Sequence, residues 1–460
     1  MRRFLLVLVL ALNAGPVSGQ PAVKEATSER RARLSKAVPE GLVIIQSADR
    51  SQPNLLEFML PDTENHDFIY LTGLESAGPR GSTLVLNPRG ETFREILYTS
   101  DDPDQIRQET GITQVLPQSR FLDDLSSAIT DYRNLRITQL RFKPVASDLS
   151  RGLGLEGVRK VIYLNYPRFT NLGEPANPRF ALAARLREAS PEIELRDSAE
   201  LLDPLRMIHD EVEIALIRRA VNITAKGLTE AMKVARPGAT TKQVAETMDY
   251  VYRLNGGGLA FDTSVRAGQS RPVQYATARE EDEARSGSAL IRPGDFVHID
   301  TGAEFNHYAS DVQRMVPADG RFTPEQRKTY GVILNVQKTV IDNIKPGARW
   351  QDLHNLAVKM LKDAGGWDTS YTYGIGHFVG MEVHDHGDYL APLQPGMALT
   401  IEQGATVEGV RVALEDTVLV TRDGHEWLSR MIPIETDEVE KLLAEPPVVD
   451  LKKLLVGRER

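Results

Sequence analysis

The chain reads as an α/β segment followed by an α+β domain in which helices back a curved antiparallel sheet with pseudo-two-fold symmetry. Three observations predict this. Between about residues 40 and 200, β-rich runs such as Gly41-Leu42-Val43-Ile44-Ile45, Phe68-Ile69-Tyr70-Leu71 and Ser82-Thr83-Leu84-Val85-Leu86 alternate with helical stretches, including 178–188; that alternation favours an α/β layer. Further on, Arg236-Pro237-Gly238-Ala239 and Lys345-Pro346-Gly347-Ala348 lie 109 positions apart, and each opens a helical pattern that stops at a glycine, Gly256 or Gly365. Two strand-like runs, 293–300 and 395–402, each start with Pro-Gly and end in a carboxylate, Asp300 or Glu402, at an offset of 102. Repetition of this kind reports duplicated architecture.

The elements follow in order. Met1-Arg2-Arg3, the apolar run Phe4 to Leu12 and the small residues Val17-Ser18-Gly19 before Gln20 have the layout of a secretory signal, so residues 1–19 are expected to be removed on export. Nine apolar residues are too few to span a bilayer. Residues 20–204 form the expected N-terminal domain, with the boundary near Asp203-Pro204, and 205–445 the second domain. The second domain opens on a capping box, Asp210 with Glu213, and Val212, Leu216, Ala220 and Ile223 then share one helix face. Thr240-x-x-Gln243 starts a helix running to about Leu254, and Thr323-Pro324-Glu325-Gln326 starts another with Pro at its favoured first position. Leu353, Leu356, Ala357, Met360 and Leu361 mark an amphipathic helix closed by Gly365, whereas 294–317 and 379–421 read as strand and turn. Gly256-Gly257-Gly258 follows a helix and reads as a loop. The tail 446–460, opening on Pro446-Pro447, reads as a peripheral arm.

Composition narrows the function. The 460 residues are 41% hydrophobic, enough for two cored domains, with net charge -9 and no extended basic run, which argues against nucleic acid as the main partner. The absence of cysteine excludes thiolate metal sites, Fe–S clusters and cysteine nucleophiles. Neither a Gly-x-Ser-x-Gly elbow nor a phosphate-binding glycine loop with lysine is present.

Chemistry concentrates in Asp300, Asp311, His377, Glu402 and Glu415. Asp311 follows Asp300 by eleven residues and Glu415 follows Glu402 by thirteen, as if each half supplied two carboxylates from neighbouring strands. Four carboxylates with one imidazole suit hard or borderline divalent ions such as Mn²⁺, Co²⁺ or Zn²⁺, and two such ions can share an activated water. If Asp300 points into the cavity, strand alternation puts His298 and Phe296 on its face and Val297 and Ile299 against the helices. His377 sits between glycines, in Tyr373-Gly374-Ile375-Gly376-His377-Phe378-Val379-Gly380, which allows close backbone approach to a ligand.

Over about residues 205–440 the chain resembles the pita-bread metallopeptidases, the family of methionine aminopeptidase, prolidase and Xaa-Pro aminopeptidase. The resemblance rests on His298-Ile299-Asp300-Thr301-Gly302-Ala303, Tyr308-Ala309-Ser310-Asp311-Val312, Gly374-Ile375-Gly376-His377, Val383-His384-Asp385, Thr400-Ile401-Glu402 and Leu414-Glu415-Asp416-Thr417-Val418. The earlier stretch Asn65-His66-Asp67-Phe68-Ile69-Tyr70-Leu71-Thr72-Gly73 is similar to the N-terminal domain of Xaa-Pro aminopeptidases. The resemblance implies a pita-bread fold, a peptidase acting on Xaa-Pro peptides, two divalent ions with Mn²⁺ favoured, and a homodimer or homotetramer. It implies that Asp300 chelates one ion, that His377 and Glu402 chelate the other, and that Asp311 and Glu415 bridge the pair. Glu402 would also orient the attacking water and relay its proton, and His384 would bind substrate and stabilise the intermediate.

Three positions depart from the family pattern: Gln274 and Tyr373 stand where the family has substrate-contacting histidines, and Ala413 where it has an arginine, though Arg411 lies on the same strand face. Gln274 still hydrogen-bonds but cannot exchange a proton near neutral pH. Two other readings therefore stay open here, a catalytically reduced binding protein of this fold and a metal-free amidinohydrolase like creatinase. His386 has no family counterpart and reads as a solvent-facing histidine without a role in the chemistry.

Overall fold

The computed structural model describes residues 21–47, 65–74, 81–134, 144–153, 160–166, 180–268, 288–367, 374–407 and 410–448. The expected signal segment, Gln274 and Tyr373 lie outside the described residues. In chain order the first part comprises α1 (Pro21–Ala37), β1 (Leu42–Gln46), α2 (His66–Thr72), β2 (Thr83–Leu86), β3 (Glu95–Thr99), α3 (Pro103–Thr110), β4 (Gln114–Pro117), α4 (Phe121–Asn134), α5 (Pro144–Gly152), β5 (Val161–Leu164), α6 (Phe180–Ala189), β6 (Glu194–Asp197) and α7 (Ala199–Arg206). The strands form one mixed sheet in the order β4-β3-β2-β1-β5-β6, with β1 antiparallel to β2 and parallel to β5. A sheet covered on both faces needs apolar residues at successive positions. In β1, Val43 and Ile45 pack with Leu34 of α1 and Phe68 of α2, while Leu42 and Ile44 face Leu125 of α4 and Leu182 of α6.

One expected strand is a helix. Phe68-Ile69-Tyr70-Leu71 has strand composition, yet it lies inside α2 because the Asn65 side chain accepts from the amides of Asp67 and Phe68 and caps the first turn. Gly73, at φ 71°, closes the last turn in the left-handed conformation that glycine adopts without strain. Cap chemistry overrides the β propensity of four residues.

The second part comprises α8 (Glu211–Val234), α9 (Thr241–Leu254), β7 (Gly258–Leu259), β8 (Ser264–Arg266), β9 (Phe296–Thr301), β10 (Ala303–Phe305), β11 (Tyr308–Ala309), β12 (Val312–Pro317), α10 (Pro324–Asp342), α11 (Trp350–Asp363), β13 (Ala398–Val407), β14 (Val410–Val420), β15 (His425–Trp427) and α12 (Thr436–Leu443). The capping boxes read from Asp210–Glu213, Thr240–Gln243 and Thr323–Gln326 all form. Gly258, expected in a loop, begins the short strand β7 against β10. An antiparallel sheet runs β13-β14-β12-β9-β8, with β15 beside β14. Phe296, expected beside Asp300 in the cavity, is buried against Phe322 and Tyr330 instead.

The internal repeat is visible in the backbone. Gly238 donates its amide to Ile291 at 3.0 Å and Ile291 returns a bond to Ala239 at 2.9 Å; 109 positions on, Gly347 donates to Leu393 and Leu393 to Ala348, both at 2.8 Å. Gly294 and Gly396, which start the two carboxylate-bearing runs, both take positive φ, 85° and 92°. Each half thus seats its helix entry and its strand entry on the same turn. Among the described residues, no helix is long and apolar enough to cross a membrane.

Candidate metal centre

Strand register assembles the acids. Ser264 of β8 pairs with Asp300 of β9, Asp300 with Gln313 of β12, Gln313 with Glu415 of β14, and Glu415 with Glu402 of β13. Directly paired residues share a face, so one row across five strands points Asp300, Glu415 and Glu402 into the same concavity. Asp311 precedes Gln313 by two residues and joins that face; its amide and carbonyl are both tied to the Thr417 hydroxyl, at 3.3 and 2.8 Å.

His377 comes from a loop that runs beside β13. Its amide donates to the Thr400 hydroxyl at 3.0 Å, its carbonyl accepts from the Thr400 amide at 2.7 Å, and the Glu402 amide donates to Ile375 at 2.8 Å. So close an approach needs glycine: Gly376 has φ 141°, and a Cβ there would lie 2.1 Å from the Thr400 carbonyl oxygen. The ring Nδ1 lies 3.0 Å from the Phe378 carbonyl, to which it donates as N–H. The other nitrogen, Nε2, then faces Asp311 at 3.6 Å and Glu415 at 3.7 Å as a lone pair, the state a metal ligand requires. Burial keeps the imidazole below its ordinary pKa and therefore neutral.

Among the described residues, no lysine or arginine forms an ion pair with these carboxylates. Burial pushes Asp311 up to about 8, and burial followed by the charges of Asp311 and Glu402 holds Asp300 well above the usual carboxylate range. Glu415 is raised well above that range by burial and then by Asp311, Glu402 and Asp300; Glu402 is raised by burial. Asp311 Oδ1 and Glu415 Oε1 are buried without a hydrogen-bond partner. Buried like charges with orphaned oxygens are unfavourable alone and favourable around divalent cations, so the residues present fit a metal centre. The donor atoms of Asp311, His377 and Glu415 all lie within 4.8 Å of one another.

Sequence reading missed the supports of this row. Gln313 donates to Asp300 Oδ2 at 3.2 Å, and its amide oxygen lies 3.3 Å from His298 Nε2, which connects His298 to Asp300 through one residue. Burial holds His298 down at about 4, so it acts there as a neutral donor. Behind the sheet, Arg314 is fully buried; it donates to the Glu415 carbonyl at 2.8 Å and pairs with Asp416 at 2.7 Å. Asp416 also accepts from Ser429 at 2.6 Å and from Gln337 at 3.0 Å. Trp350 stacks on Phe378 with centroids 5.7 Å apart, and Tyr389 meets both edge-on.

His384 lies against His377, ring centroids 4.1 Å apart in an edge contact, and is the exposed member of the pair. Partial desolvation of the ring, then His377, holds its pKa down to about 4. Ala413 is buried opposite Gly404, and Arg411 stands opposite Thr406 at the outer end of the same strand pair. His386 is not the solvent-facing histidine expected: its ring is mostly covered, with Nε2 3.6 Å from Asp385 and Nδ1 3.9 Å from Asp203.

Residues 215–422 match the model of metallopeptidase family M24. Xaa-Pro aminopeptidase 2 of Streptomyces coelicolor is 31% identical over 455 residues, covering 90% of each chain. The chain belongs to metallopeptidase family M24. It is a metal-dependent aminopeptidase, similar to Xaa-Pro aminopeptidases. An Xaa-Pro dipeptidase of Pyrococcus furiosus is 30% identical over 267 residues, 56% of this chain and 73% of its own. The structure of aminopeptidase PepP of Pseudomonas aeruginosa superposes with a TM-score of 0.72 at 25% identity, over 92% of this chain and 98% of the other, so the likeness covers both the α/β part and the pita-bread part. M24 metallopeptidases bind divalent ions, in keeping with the orphaned carboxylates.

Proposed function

We propose that this protein removes the first residue from peptides whose second residue is proline, using two divalent metal ions held by Asp300, Asp311, His377, Glu402 and Glu415. The observation that carries the reading is the cross-strand row of buried and half-buried carboxylates closed by a neutral imidazole. In this reading Asp300 would hold one ion and His377 and Glu402 the other, with Asp311 and Glu415 contributing to both. When bound, such ions, Mn²⁺ by family resemblance with Co²⁺ and Zn²⁺ also suiting the ligand types, would lower the pKa of water and polarise the scissile carbonyl.

The chain's own residues do the rest. Glu402, whose carboxyl is raised by burial, takes the proton of the attacking water and passes it to the departing amine. His384, neutral and exposed beside His377, hydrogen-bonds the substrate carbonyl as charge develops on it. Gln274 and Tyr373 would line the substrate side. Ala413 leaves the inner face beside Gly404 without a long side chain, which bears on how strictly proline is required.

Metal analysis together with a peptide panel tests this. The protein purified in Mn²⁺ is expected to carry close to two ions per chain and to cleave Xaa-Pro peptides in preference to Xaa-Ala ones. Hydrolysis undiminished in metal-free protein would overturn it. We also infer export through residues 1–19 to a periplasmic or secreted location and assembly as a homodimer or homotetramer. A mature N-terminus at Gln20 in the exported fraction and the mass in solution test these.

A further inference from the structure

Beside the metal centre, five chain positions on from His377, lies a second cluster of donor atoms: Glu382, Asp385 and His386, all within 4.8 Å of one another. A cation already belongs to it. Arg206, at the end of α7 and 2% exposed, donates through Nη2 to Asp385 at 2.8 Å and lies 3.6 Å from Glu382. Its Nη1 donates at 2.8 Å to Asp67, in the first turn of α2. The guanidinium therefore joins a helix of the N-terminal part to a turn of the catalytic part through two parallel charged bonds.

The turn it grips carries His384. Asp385 Oδ2 accepts from the Met381 amide at 2.7 Å, and Oδ1 accepts from the His386 amide at 2.7 Å, so this one carboxylate closes the turn around His384. A Cβ on Gly380 would sit 2.2 Å from Asp385 Oδ2, which shows how tightly the turn is wound. His66 of α2 adds a second bond, Nδ1 to Glu382 at 3.4 Å. A further brace enters one residue before Gly380: Arg30 of α1 pairs with Asp210 at 2.8 Å and lies 3.6 Å from Glu213, Glu213 lies 3.2 Å from His209 Nδ1, and His209 Nε2 lies 3.1 Å from the Val379 carbonyl.

We propose that Arg206, seated on Asp67, is a positioning residue that sets the place of His384 through the Asp385 turn. This rests on the reading of His384 as a substrate-contacting group. It assigns the N-terminal helix a part in catalysis without contact to the reacting atoms. A planar fork reaches two carboxylates on different elements at once; an ammonium point charge does not. Misplacement of a reacting or contacting group by about 1 Å costs up to about 100-fold in rate.

The test is a double-mutant cycle on the full Mn²⁺-loaded chain. Arg206→Lys is expected to lower kcat/KM for an Xaa-Pro peptide by about 10- to 100-fold with metal content unchanged. In a His384→Ala background the same change is expected to cost less than about threefold, because the group being positioned is gone. Hydrogen exchange supplies a readout independent of activity: the Met381 and His386 amides should exchange at least tenfold faster in Arg206→Lys, while β9 and β12 keep their protection. Should Arg206→Lys fail to fold, Asp67→Asn, which leaves the Arg206–Asp385 bond intact, is expected to show the same coupling with a smaller loss. Losses that multiply independently, with unchanged protection at Met381 and His386, overturn the proposal. An inert wild type would defeat the peptidase reading instead, and exchange alone would then decide the role of Arg206.

Discussion

At the scale of single residues, the candidate metal centre is a set of groups held in states they avoid in water. Asp311, with a carboxyl pushed up to about 8 by burial, binds a proton in the folded metal-free chain that the unfolded chain has already released by neutral pH. Its contribution to metal-free stability is therefore present at low pH and is lost as pH rises from the ordinary carboxylate range towards 8. Chelated protein should melt at progressively lower temperature between pH 5 and 8, and the gain on adding Mn²⁺ should widen over the same interval; calorimetry with and without chelator checks both. Glu402→Gln keeps an oxygen donor but removes the base, so kcat should fall by about 10²- to 10⁴-fold with the fold intact, read by steady-state kinetics and circular dichroism. Glu402→Gln turning over at near wild-type rate would move the proton relay elsewhere.

At the scale of elements, precision comes from backbone rather than side-chain choice. The loop bearing His377 lies so close to β13 that Gly376 admits no Cβ, and its φ of 141° is strained for any other residue. Gly376→Ala should push the loop off the strand and weaken Mn²⁺ binding at least tenfold, which a metal titration measures; unaltered affinity would show that the loop tolerates displacement. Behind the sheet, Arg314 and Asp416 form a fully buried charge pair. Removing a single partner from a buried pair leaves an uncompensated charge, so Arg314→Met should destabilise by about 3 to 5 kcal/mol in denaturant unfolding. Replacing Arg314 and Asp416 together by apolar residues should cost less than the single change, because no lone charge remains.

At the scale of the whole molecule, the two parts share a core. Val43, Ile45 and Phe68 of the N-terminal part belong to the same apolar cluster as Val297, Ile299 and Leu414 of the catalytic sheet. The ion pairs from Arg30 to Asp210 and from Arg206 to Asp67 cross the same junction. A chain cut to residues 205–445 would expose that apolar face and leave Arg206 without Asp67. It should aggregate or bind a hydrophobic dye when expressed alone; a monomeric, fully metal-loaded fragment would refute this.

The sequence alone determined what local rules control. Helix starts at Asp210, Thr240 and Thr323 were legible because a cap and its return bond lie three residues apart, and the duplication was legible because both halves spend Pro-Gly on the same turns. The five ligand candidates were picked out by chemical type, spacing and resemblance to the family, although Glu402 and Glu415 lie within β13 and β14 and not at strand ends. Local composition misled at Phe68–Leu71, where an asparagine cap and a terminal glycine outweigh β-forming residues. What sequence could not supply is contact across distance. Arg206 lies 139 residues from Asp67 and 179 from Asp385, and His386 looks like any exposed histidine until α7 is folded against its turn. Pairing between remote segments is decided by packing and charge burial in the assembled molecule, so only the tertiary structure decides which of many charged residues meet.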